Sequence, residues 1–158
     1  MELHVLSAGA AKGLVEALAP ALLAATGATL RGEFGAVGAI RERLMNGAPC
    51  DVIILTAAML DALVQDGRVV AHTIAPLGRV RTGIAVRDGE ALPTIADRDE
   101  LRRCFLAMNG LYLPDPERST AGVHCIKVLR QLGIHDVVAS RLRAFPNGAI
   151  AMGELVDA

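Results

Sequence analysis

Two stretches of small residues stand where an apolar run gives way to a helical pattern: Ser7-Ala8-Gly9-Ala10 and Gly35-Ala36-Val37-Gly38. Backbone this bare lets a ligand approach the amides at a helix N-terminus, where unpaired N–H groups and the helix dipole favour negative charge. The loop Pro114-Asp115-Pro116-Glu117-Arg118 leads to a third such start, Ser119-Thr120-Ala121-Gly122, with Ser119 or Thr120 as the cap. The chemistry offered is recognition of a small anion. Packing alone explains any one of these turns about as well, and agreement among several favours binding. Lys12, a cation in a first helical turn, opposes the dipole as an anion-attracting residue would, and equally as a solvated surface residue does.

Other chemistries find little support. There is no nucleophile–base–orienter set, no P-loop and no G-x-G-x-x-G, so the chain is read as a binder and not an enzyme. Asp115 and Glu117 flank a proline, where turn formation accounts for them better than acid–base work. Cys50, Cys104 and Cys125 are odd in number and sit among apolar neighbours, as buried thiols do, and no CxxC suggests zinc. Of His4, His72, His124 and His135, His124 adjoins a second soft metal ligand, Cys125, but helix neighbours point about 100° apart. No metal or cofactor is expected. The formal charge of −1, with 16 Lys+Arg against 17 Asp+Glu, and an aromatic content of 3% argue against a nucleic-acid partner.

The elements that must position these turns follow from hydrophobic patterning. With 158 residues, 53% of them hydrophobic, the chain can bury a core and lies between one domain and two small ones. Leu3–Leu6 reads as a strand and Leu14, Leu18, Leu22 and Ala25 as the inner face of a helix closed by Gly27, with a mild kink or early break at Pro20. A strand over Thr29–Phe34 precedes a helix with Val37, Ile40 and Leu44 inward, ending at Asn46-Gly47. The short apolar run Asp51–Leu55 fits a strand buried on both faces of a parallel sheet, and Met59, Leu60, Leu63 and Val64 give a third helix stopped near Gly67. This β-α-β-α-β-α order predicts a doubly wound, mainly parallel α/β fold.

Alternation of Val80, Thr82, Ile84 and Val86 then predicts a longer strand over Leu77–Val86 that carries the chain into a second lobe. Asp97 caps a helix reaching about Ala107, Leu111–Leu113 is a strand, and the helix after the Pro114 loop turns Val123, Ile126 and Leu129 inward. A short helix over Asp136–Ser140, a strand over Leu142–Phe145 and a helix opened by Pro146-Asn147-Gly148 complete the pattern. The expected division is residues 1–79 in one α/β lobe and 80–158 in a second, incomplete one. No apolar stretch approaches the roughly 20 residues that span a bilayer, and no basic n-region with an apolar h-region opens the chain.

Taken together, Leu3–Ala10, Phe34–Ile40, Asn46–Val52 and Pro114–Glu117 with Ala121-Gly122 resemble the molybdate-type periplasmic substrate-binding proteins, with spacing that agrees across essentially the whole chain. The resemblance implies two α/β lobes in a type 2 periplasmic-binding fold, a molybdate-like oxyanion or related solute in the cleft between them, and service to an ABC transporter permease in the periplasm. It implies ligand contacts from the three turns, with Ala121 giving a backbone amide and Asn147 near a further position. Where the family places two ligand-binding serines, this chain has Ala10 and Val37, and Ser7, Thr56, Ser119, Thr120 and backbone amides are the groups available to substitute. The family also continues beyond the final helix. If the chain ends at Ala158, self-association as a homodimer or by domain swapping is expected. A cytosolic small-ligand sensor of the same fold is the alternative if Met1 is the native start; otherwise a signal peptide has been removed.

Overall fold

The computed structural model describes residues 1–158 and divides into two compact units, Met1–Arg81 and Thr82–Ala158. In the first unit, β1 (Glu2–Ala8) lies between β2 (Thr29–Gly35) and β3 (Val52–Ile54), all parallel. Each strand is followed by a helix: α1 (Lys12–Thr26), α2 (Val37–Met45) and α3 (Ala57–Gln65). The α/β class and the parallel sheet are those that the alternation of patterns predicts. Being central, β1 contributes the most enclosed residues, Val5, Leu6 and Ser7, and Val37, Ile40 and Leu63 bury their side chains in the same unit. Full burial of each large aliphatic side chain stabilises by about 1.5–3 kcal/mol.

Three details depart from the patterning. β3 spans only Val52–Ile54 and is an edge strand in which Val52 is exposed and Ile53 and Ile54 are half-buried, not one buried on both faces. α1 turns Val15, Ala19 and Leu22 inward and leaves Leu14 and Leu18 about half exposed, a rotation of one residue from the expected stripe. A helix apolar on nearly every side carries no contrast from which its phase can be read. It also runs through Pro20 to Thr26 without an early break, one of the two outcomes that Pro20 suggests, and ends on Gly27 at φ 69°.

The second unit holds a two-stranded parallel sheet of β4 (Leu111–Pro114) and β5 (Leu142–Phe145), with α4 (Arg98–Ala107), α5 (Thr120–Gln131), α6 (His135–Val138) and α7 (Gly148–Val156). Its core gathers Leu129, Leu132, Ile134 and Val138, with Leu101, Phe105 and Ile126 packed against them. Arginines fasten the helix ends. Arg98 and Arg102 donate to the carbonyls of Gln131 and Leu132 at the C-terminal end of α5, and Arg141 donates to those of Leu106 and Met108 at 2.9 and 2.8 Å, satisfying acceptors that a helix C-terminus leaves unpaired.

α5 faces inward with Gly122, Ile126 and Leu129, and the expected Val123 is about half exposed. The cause is steric: a Cβ at Gly122 would overlap the carbonyl oxygens of Pro114 and Asp115, so only glycine lets the helix rest on that loop. The segment from Ile74 to Arg87 is not a strand. It runs without turn or bend, and no backbone hydrogen bond engages Ala75–Val86. Alternating side chains alone do not make a strand where no partner backbone is present.

Candidate functional site

Strand register brings the first unit's turns together. Ala8 pairs with Gly35 at the ends of β1 and β2, and Ser7 pairs with Ile54 at the end of β3, so all three strand-to-helix turns open at the carboxyl edge of one sheet. That edge is where open α/β sheets bind ligands. A methyl added to Gly9 would touch the Gly35 carbonyl at 3.7 Å, which measures how closely the first two turns approach.

None of the three helix starts here is capped by its own side chain. The Gly9–Ala11 turn follows Ala8, α2 follows Ala36 and α3 follows Thr56, each without a side-chain hydrogen bond to the first-turn amides. In α2 the first bond of the helix is Ile40 N–H to the Ala36 carbonyl at 3.0 Å, which leaves Val37, Gly38 and Ala39 ahead of the ladder. Gly9, Ala10 and Thr56 are exposed, and Ala8, Gly35, Ala36 and Gly38 are half-buried. Two residues offer less than their types suggest. Ser7 is wholly enclosed and its hydroxyl donates to the Ala8 carbonyl at 3.0 Å, while the Val37 side chain is 5% exposed in the core, leaving only its amide for the site.

In the second unit β4 and β5 also end side by side, Pro114 opposite Phe145, and the helices that follow are capped. Ser119 Oγ accepts from Gly122 N–H at 3.5 Å, Asn147 Oδ1 from Ile150 N–H at 3.0 Å, and Asp97 of α4 from Glu100 N–H at 2.8 Å. Ser119 is nearly enclosed, Ala121 and Asn147 are half-buried, and Thr120 is exposed. Asp115 accepts from Glu117 and Arg118 N–H at 2.8 and 2.9 Å; these backbone donors hold its carboxyl below the ordinary carboxylate value and shape the loop. That is the turn role that its flanking of Pro116 suggests.

The first-unit edge also presents the amides of Ala57 and Ala58, ahead of the first α3 bond from Met59 N–H to the Thr56 carbonyl, which the sequence reading did not single out. A signal was present in the alanines directly after Thr56. No carboxylate, imidazole or thiol occurs among Ser7–Ala10, Gly35–Gly38 and Thr56. No cluster of three His, Cys, Asp or Glu could hold a metal ion. Burial raises the thiol pKa of Cys50, Cys104 and Cys125.

A parallel sheet with bare helix starts at its carboxyl edge is the arrangement in which open α/β proteins hold small ligands. The chain belongs to the family of bacterial extracellular solute-binding proteins, whose family model matches residues 3–158. Its fold is that of the periplasmic molybdate-binding protein of Azotobacter vinelandii, with a TM-score of 0.68 and 20% identity, covering 98% of this chain and 67% of that one. The substrate-binding domain assigned to a molybdenum ABC transporter from Clostridium difficile matches with a TM-score of 0.57 and 16% identity, over 98% of this chain and 66% of that one. In sequence the chain is 32% identical over 162 residues to an aconitate isomerase from a Pseudomonas species. That match takes in 96% of this chain, which spans about three-fifths (61%) of the isomerase.

Proposed function

We propose that this chain is the solute-binding component of an ABC importer, working outside the cytoplasmic membrane with a permease, and that its solute is a small anion held largely by backbone amides. The observation that carries this reading is the contrast in capping. Helix starts at the carboxyl edge of the first unit have no side-chain acceptor of their own, whereas α4, α5 and α7 of the second unit each have one. Amides without an acceptor, at the positive ends of helix dipoles, favour an anionic guest. The resemblance to molybdate-binding proteins supports an oxyanion.

A carboxylate solute is the second reading, favoured by the 32% identity to the aconitate isomerase, which is named for a tricarboxylate. The turns hold no titratable base, which favours binding over isomerisation. Calorimetric titration with molybdate, tungstate, sulfate, phosphate and the two aconitate isomers tests both readings. Binding of a tetrahedral oxyanion is expected. Binding of aconitate alone would select the carboxylate, interconversion of the isomers would make the chain an enzyme, and heat from none of these ligands would overturn the anion reading.

A further inference from the structure

We infer that Gly32 is a positioning residue for the proposed anion site: the room it leaves beside β2 lets the Phe34 ring lie back along the strand, clear of the carboxyl edge where the bare amides open. The inference rests on the anion reading given above. A Cβ on Gly32 would stand 2.6 Å from two carbons of the Phe34 ring, Cε2 and Cζ, closer than side-chain atoms approach. Residues 32 and 34 share one face of β2, so this contact fixes the ring's direction. It leans toward the amino end of the strand, away from Gly35 and Ala36.

Glycine inside a strand is costly, since it loses more backbone freedom than other residues and has no side chain to pack. Gly32 does not serve a special conformation, because its φ is not positive as those of Gly27, Gly47 and Gly67 are. Nor does another stretch of backbone press on it: the three heavy atoms nearest to such a Cβ all belong to Phe34. Phe34 is the only aromatic residue of the first unit. It directly precedes Gly35-Ala36-Val37-Gly38, and its cross-strand partner Ser7 directly precedes Ala8-Gly9-Ala10, so the ring borders two of the turns.

A larger residue at position 32 would have to displace the ring and not the strand. β2 pairs with β1 in unbroken register from Thr29 to Gly35, and on its other face Glu33 meets Arg43 of α2 at 2.5 Å. With the backward position filled, the ring must turn to another staggered rotamer, and a side chain on a strand leans along the strand direction. Leaning forward, it would overhang the Gly35-Ala36 turn and the amides of Val37, Gly38 and Ala39 that stand ahead of the α2 ladder.

The test is calorimetric titration of Gly32→Ala, Phe34→Ala and the double variant with the molybdate, tungstate, sulfate, phosphate and aconitate panel, circular dichroism confirming each variant's fold. Gly32→Ala should weaken anion affinity roughly tenfold, the equivalent of one obstructed hydrogen bond, and the double variant should bind as Phe34→Ala alone does. Proton NMR supplies a readout that needs no ligand and that a role confined to stability would not move. In the wild type the Gly32 Hα resonances should lie upfield beneath the ring, and in Gly32→Ala the ring-current shift should pass to the amides of Ala36–Gly38. Affinity unchanged by Gly32→Ala, or weakened as much when the ring is absent, overturns the inference and leaves the anion reading standing. Gly32 Hα resonances without a ring-current shift do the same. A wild-type chain that binds none of these anions overturns both.

Discussion

At the scale of single residues, side-chain direction decides what the candidate site can offer. Ala10 is exposed beside bare amides, so Ala10→Ser would add a hydroxyl donor and should tighten oxyanion binding by about 1 kcal/mol in calorimetry. Val37→Ser is a different matter. Its side chain lies in the core, so the serine should cost about 1–3 kcal/mol of stability in denaturant titration without improving affinity. Two carboxylates contribute to the acid response. Asp51 is held below the ordinary value of 3.8 chiefly by the His4 backbone N–H at 2.8 Å, and Asp115 by the Arg118 and Glu117 N–H groups. A depressed folded-state pKa contributes stability that is present above the unfolded value and is lost as pH falls through the folded one. Stability should therefore decline below pH 3.8, and Asp51→Asn or Asp115→Asn, weaker at neutral pH, should show a shallower decline in unfolding experiments repeated down the pH scale.

At the scale of elements, helix starts were the most legible part of the sequence. Asp97, Ser119 and Asn147 each cap the helix they precede, because short polar side chains before an apolar pattern have few better places to go. Helix phase was legible where polar contrast existed: α2, with Arg41, Glu42 and Arg43 toward its outer side, faces as expected, and α5 turns Ile126 and Leu129 inward as expected with only Val123 displaced, whereas α1, apolar on nearly every side, is rotated. Pairing was not legible at all for Leu77–Val86, since alternation describes a side-chain pattern and a strand needs a neighbour. The turns of the candidate site were visible as small residues, but the enclosure of Ser7 and Val37 depends on contacts made by distant parts of the chain. α5 gives a direct check on its seating. Gly122→Ala should force the helix off the Pro114–Asp115 carbonyls and destabilise the second unit by about 1–3 kcal/mol or more, and Ile134→Ala, emptying a fully enclosed site, by about 2–5 kcal/mol. Hydrogen exchange should register both in β4 and α5, with β1 unaffected.

At the scale of the whole molecule, the alternation of strands and helices was enough to predict the α/β class, because a parallel sheet needs a crossover helix after each strand. The two units are each contiguous in sequence, and the first places its earliest strand at the centre of its sheet, with β2 and β3 added on either side. This has a bearing on biosynthesis. As the chain is made from its N-terminus, β1 gains one neighbour and then the other within the first 54 residues. Domains generally fold as units during synthesis, so these three strands can pair while the second unit is still being translated. Nascent chains stalled on the ribosome after residue 81 would already resist protease across β1–β3.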